Sequence, residues 1–215
     1  MQNILFSIAN ISSFSILIPA LAGIFFYKRF DFKIKLFFFF ILVSVFVEVL
    51  SDYFAKNRIN NFPISHYYAL LEYMAFSYLF YHATDSARIK IYIIYVSAIY
   101  IVFAIINVFF IEGIYTFNSN GRVAESLLLL VSALLYFFTL FKKLPKDSLL
   151  RQPMFCISCG VIFYFAGNIL LFGVYNILMK NTSDSQEIWV LHSLLNILLN
   201  LLIATAFICH RKPLD

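Results

Sequence analysis

The fold class this sequence predicts is an all-α integral membrane bundle of seven transmembrane helices, with the N-terminus outside the cytoplasm and the C-terminus inside. Three observations lead there. The 215 residues are 62% hydrophobic and only 13% charged, against roughly 45–50% apolar and about 25% charged in a soluble domain. So little charge cannot clothe a water-facing globule. Apolar runs of bilayer-crossing length recur along the whole chain, and the basic residues gather in alternate gaps between them.

About 20 apolar residues carry a helix across the hydrocarbon, where only helices and closed barrels satisfy their own backbone. The runs, in order, are Ile4–Tyr27, Leu36–Ala55, Tyr67–Thr84, Ile91–Ile111, Ala124–Phe141, Met154–Asn176 and Ile188–Cys209. The first follows Met1-Gln2-Asn3, which lacks the positive charge of a signal peptide. It is also longer than a signal peptide's apolar region, so its retention as a helix is expected. The third is short and rich in tyrosine, but leaving it out would strand Glu72 in a long loop of bulky apolar residues. No hydrophilic stretch is long enough to fold alone, so residues 1–215 form a single domain.

Lysine and arginine set the orientation. The gap after the first run holds Lys28, Arg29, Lys33 and Lys35. Arg88 and Lys90 follow the third, Lys142, Lys143, Lys146 and Arg151 the fifth, and Arg211 and Lys212 the last. These twelve face four on the other side: Lys56, Arg58, Arg122 and Lys180. Such an excess in short loops marks the cytoplasmic side. The formal charge of +5 is thus a topology signal, and no nucleic-acid partner is expected. Tyr27, Tyr67, Tyr68, Tyr81, Tyr92 and Tyr175 near run ends suit the aromatic belts of the two interfaces. Cys156, Cys159 and Cys209 form no disulfide framework. The Cys156-x-x-Cys159 pair lies in an apolar run near the reducing side, with nothing beside it to activate a thiol.

Polar residues inside the runs are the informative anomaly, because an ionisable group in hydrocarbon costs several kcal/mol (~2.5–3.5 at the centre) and turns inward. Glu48 and Asp52 lie four apart on the second helix. Glu72 is on the third, Glu125 on the fifth and Asn168 on the sixth. His192, Asn196 and Asn200 repeat at a spacing of four on the seventh, with Ser193 beside them. Given the alternating helix directions, Glu48, Asp52, Glu72, Glu125, Asn168, His192 and Asn196 all fall in the outer half of the membrane. They predict a polar, ligand-binding cavity opening away from the cytoplasm, walled by helices two, three, five, six and seven, with helices one and four as scaffold. The blander alternatives are interhelical hydrogen bonds for Asn196 and Asn200, and solvated helix ends for Glu125 and His192. Crowded carboxylates cannot all ionise, so at least one of Glu48, Asp52 and Glu72 is expected to keep a proton and donate a hydrogen bond to Asn196 or His192, the partners expected for Glu72 on the seventh helix.

Three function classes fit such a cavity. One is a receptor-like or sensory module taking a small-molecule ligand, with a membrane-protein partner for any output. Retinal is disfavoured as its cofactor, since no lysine lies within the last helix to form a Schiff base. A second is an intramembrane zinc hydrolase using Glu48, Asp52, Glu72 and His192 as ligands. The ceramidase and adiponectin-receptor group looks similar in helix count, but its last helix carries His-x-x-x-His where this chain has His192-x-x-x-Asn196. The third is a small carrier of the sugar-transporter and PQ-loop type, built as three helices, a linker helix and three more. Ala69-Leu70-Leu71-Glu72 faintly echoes Ser193-Leu194-Leu195-Asn196, as parallel repeats would. The Pro-Gln dipeptide is missing, however, and Pro19 has no counterpart in helix five.

Two longer motifs are Asn61-Phe62-Pro63-Ile64-Ser65-His66-Tyr67-Tyr68-Ala69-Leu70-Leu71-Glu72-Tyr73 and the stretch from Trp189 to Asn200 (WVLHSLLNILLN). They resemble those of uncharacterised seven-transmembrane-helix inner-membrane proteins of Bacteroidetes-type bacteria. That resemblance covers the whole chain and implies a seven-helix fold in the bacterial inner (cytoplasmic) membrane. It supplies no mechanism.

Overall fold

A computed structural model of the chain describes residues 2–143, 149, 152–178 and 185–210. Among these residues the regular structure is entirely helical. In chain order the helices are α1 (Gln2–Ser15), α2 (Leu17–Phe26), α3 (Phe32–Lys56), α4 (Phe62–Ala83), α5 (Ala87–Ile106), α6 (Ser119–Lys143), α7 (Pro153–Leu178) and α8 (Ser185–Cys209). A 3-10 turn, Tyr27–Arg29, extends α2, and a π-helical turn, Asn107–Ile111, extends α5. Because α1 and α2 are halves of one run, the seven expected runs become seven rods.

Among the described residues, six rods are long and apolar enough to cross a membrane: Ile8–Arg29, Phe32–Lys56, Ala87–Ile111, Ser119–Lys143, Pro153–Gly173 and Trp189–Cys209. The exception is α4. It lies against α3, α5 and α6, and one face buries His66, Ala69, Glu72, Tyr73, Phe76, Ser77 and Phe80. A helix with protein against that face can carry polar residues there, which lowers its hydropathy without exposing them to lipid.

Local chemistry explains the breaks. Pro19 has no N–H for the carbonyl of Ser15 and its ring crowds that oxygen, so the first rod divides at Ile16. Asp31 caps α3, its Oδ1 accepting from the Ile34 N–H at 2.9 Å. At the other end of α3 the Arg58 N–H donates to Ala55 O at 3.0 Å and the Ile59 N–H to Phe54 O at 2.8 Å. This is a Schellman closure, with Arg58 held at φ 57° where glycine is usual.

The rods converge at the end that carries most of the basic residues. The Asp31 N–H donates to His210 Nε2 at 3.4 Å, and Lys143 pairs with Asp85. Beneath these contacts lies a phenylalanine core. Phe37 meets Phe76 at 5.3 Å between centroids, Phe76 meets Phe165 at 5.8 Å, and Phe207 meets Phe37 at 6.2 Å and Phe38 at 6.0 Å. These edge-on contacts tie α3, α4, α7 and α8 together. Gly160 and Gly167 bring α7 close to Leu199 and Leu195 of α8. At the opposite end the linkers meet: Asn60 Nδ2 donates to Tyr115 O at 2.9 Å, and Phe62 packs on Phe117 at 6.1 Å.

Candidate ligand-binding cavity

Near their first and last thirds respectively, α3 and α8 touch through Phe37, Phe38 and Phe207. Towards the other end both line a cavity of about 470 Å³. It lies within the range of small-molecule sites, about 300–1,000 Å³. Ser44, Glu48 and Ser51 line it from α3, Ser65, Tyr68 and Glu72 from α4, Arg122 from α6, Tyr164 and Phe172 from α7, and Trp189, His192 and Asn196 from α8.

An ion triad anchors its floor. Arg122 Nη1 donates to Glu72 Oε2 at 2.6 Å and to Glu125 Oε2 at 3.1 Å. Its side chain is 13% exposed, those of Glu72 and Glu125 only 5% and 0%. Arg122 and Glu125 share a face of α6 because they lie three apart. The guanidinium also stands 5.4 Å over the Tyr68 ring, and the Tyr68 hydroxyl donates to Ser44 Oγ at 3.3 Å. A charge out of water needs a partner. Here one cation answers two carboxylates from different helices.

The wall formed by α7, α8 and the linker before α6 is aromatic. Phe117 lies 5.5 Å from Phe172 and 5.9 Å from Trp189. His192 lies 5.6 Å from Phe172 and 5.9 Å from Trp189, so the four rings close a circuit. Tyr164 adds a fifth ring, 5.6 Å from His192. His192 Nδ1 is held by Asn168 Oδ1 at 3.0 Å. Asn196 Nδ2 donates to Ser12 Oγ at 3.0 Å, and Asn200 Nδ2 to Ser15 Oγ at 2.8 Å.

No family model matches this chain, and no curated protein or solved structure is significantly similar to it.

Of the residues singled out in the sequence, Glu48, Glu72, His192 and Asn196 line the cavity together. Asn168 stands behind His192 and Glu125 behind Arg122. Asp52 does not belong to the site. It is exposed near the end of α3 and pairs with Lys56 at 2.6 Å, because four residues turn a helix about 400°, not 360°, which sets it off the face that carries Glu48 and Ser51 into the cavity. The expected partner of Glu72 is also corrected: it is Arg122, while His192 and Asn196 are engaged by Asn168 and Ser12. The first rod is no mere scaffold, since Ser13 and Ile16 line the cavity and Ser12 and Ser15 tie α8.

The zinc-ligand set is not assembled. Asp52 and Glu72 are held by Lys56 and Arg122, and no group of three metal-ligating acids, histidines or cysteines gathers among the described residues. Arg122, which the sequence places with a loop, lines the cavity and belongs to the candidate site. Its spacing of three from Glu125 was the available signal. Tyr68 is also misplaced by the belt reading, for only Tyr67, 69% exposed, faces outward there.

Proposed function

We propose that this chain is a seven-span, receptor-like membrane protein that binds a small ligand in the cavity, with α4 as the seventh span. Its basic end faces the cytoplasm and the cavity opens on the other side, as the positive-inside asymmetry supports. That asymmetry sharpens once Arg122 is counted with the triad instead of with a loop. The observation carrying the proposal is the unequal satisfaction of the lining. Arg122, Glu72, His192 and Asn196 are held by protein partners, so the cavity keeps its shape when empty. Glu48 lines the same cavity with no hydrogen-bond or ion-pair partner among the described residues, and is left for a ligand. A preformed site of that kind binds without a large ordering cost.

The carrier reading has less support. The block of Phe37, Phe76, Phe165 and Phe207, each at most 1% exposed, lies between the cavity and the basic end. A cavity-filling variant tests the proposal. Wild type and Ser65→Trp are screened in detergent for stabilisation by a panel of polar metabolites. A compound at about 100 times its Kd adds roughly 2.7 kcal/mol, an easily measured rise in Tm. Compounds that stabilise wild type are expected to lose their effect on the filled variant. Equal stabilisation of both would place binding elsewhere and end the proposal.

A further inference from the structure

We propose that the cavity selects a small organic ammonium cation, with Glu48 as its counter-ion and the Phe117, Phe172 and Trp189 rings as its seat; this rests on the ligand-binding reading above. The charge inventory comes first. At this end of the bundle Asp52 is answered by Lys56. Glu112 accepts from Asn107 Nδ2 at 2.7 Å and from the Asn120 N–H at 2.8 Å. Glu72 and Glu125 share Arg122. Among the described residues, Glu48 is the acid at this end with no hydrogen-bond or ion-pair partner. The triad sets two carboxyl groups against one guanidinium, and Glu48 adds a third acid that has no ion-pair partner among the described residues. An anionic ligand would meet two carboxylates, Glu48 and Glu72, and one guanidinium already engaged by Glu72 and Glu125. A cation meets the reverse.

The second observation is independent of charge. Ring faces attract cations, and ammonium groups sit within about 6 Å of ring centroids, most strongly over tryptophan. The aromatic circuit lines the same cavity as Glu48 but from other elements, the linker before α6, α7 and α8, while Glu48 comes from α3. One cavity thus offers an alkylammonium head both a carboxylate and aromatic rings. Ser51 and Asn61, joined by a 2.9 Å hydrogen bond, offer neutral hydrogen-bonding groups for a hydroxyl on the same ligand. No covalent step is involved.

The test uses choline and its neutral carbon isostere, 3,3-dimethylbutan-1-ol, with the purified full chain. The chain's one tryptophan is Trp189, in the cavity wall, and its fluorescence reports occupancy. Choline is expected to bind saturably, at least tenfold more tightly than the isostere. Glu48→Gln is expected to remove that preference while leaving Tm unchanged, because Glu48 loses no protein partner. Equal affinity for the two probes, or a preference that survives in Glu48→Gln, would overturn the ammonium assignment. So would the absence of any response to choline up to about 10 mM, far weaker than ordinary small-ligand affinities. The ligand-binding reading stands or falls separately, on the Ser65→Trp comparison.

Discussion

Arg122 Nη1 lies 2.6 Å from Glu72 Oε2, across fifty positions of sequence and two helices. The pair is nearly sealed from solvent, and Glu125 shares the same nitrogen at 3.1 Å. Breaking a buried ion pair by removing one member costs about 3–5 kcal/mol, chiefly from the charge left behind. The triad makes that cost asymmetric. Glu72→Gln leaves Arg122 paired with Glu125, whereas Arg122→Gln leaves two buried carboxylates with no cation. Thermal unfolding in detergent is therefore expected to show Arg122→Gln as the less stable variant by at least about 2 kcal/mol. Glu72→Leu should fall between them, losing the hydrogen bond as well as the charge.

How much of this was legible in the sequence differs from residue to residue. Run length and apolarity mark the rods because lipid leaves the backbone no other option. Glu48, Glu72 and His192 stand out because ionisable residues in apolar runs turn inward. Arg122 was not legible by that rule. It precedes the run that begins at Ala124 and follows Asn118-Ser119-Asn120, so hydropathy assigns it to a loop. Only helical extension back to Ser119 brings it inside. The break at Ile16 was signalled by Pro19, but its partners were not. The serines it presents pair with asparagines some 184 and 185 positions away, a distance no local pattern encodes.

That α1–α8 pairing gives a second expectation. Ser15→Ala removes the acceptor of Asn200, at a site where both side chains are buried. The loss should be about 1 kcal/mol. A double-mutant cycle with Asn200→Ala should return a coupling near 0.6 kcal/mol, the usual size for such bonds in membranes. Additive single effects would show that the bond contributes nothing.

Arg58 supplies a third. Its φ of 57° is a conformation that costs a residue with a Cβ roughly 1 kcal/mol and glycine almost nothing. Arg58→Gly should raise Tm, and Arg58→Val should lower it, since β-branched residues suit that region least. A stabilising valine would contradict the turn geometry.

At the basic end, the Asp85 carboxyl is held below its ordinary range by the hydrogen bond and charge of Lys143. A carboxyl depressed in the folded state contributes stability above its unfolded pKa of about 3.9 and loses it as pH falls through the folded value. Wild type should thus exceed Lys143→Gln slightly in Tm at neutral pH. The gap should close in strong acid and shrink with salt, because both groups are exposed. A gap that widened in acid would reverse the assignment.

The proposed function needs a polar cavity that opens on the side opposite the basic loops. Its most direct test is labelling of Ser65→Cys, in a chain otherwise free of cysteine, by a membrane-impermeant maleimide on intact cells. Ser65 lines the cavity at the start of α4. The expected result is labelling without permeabilisation, matched by a cytoplasm-only reporter that is active after Lys212 and silent within Asn181–Gln186. Labelling only after permeabilisation, with the reporter pattern reversed, would contradict the orientation and the outward cavity together.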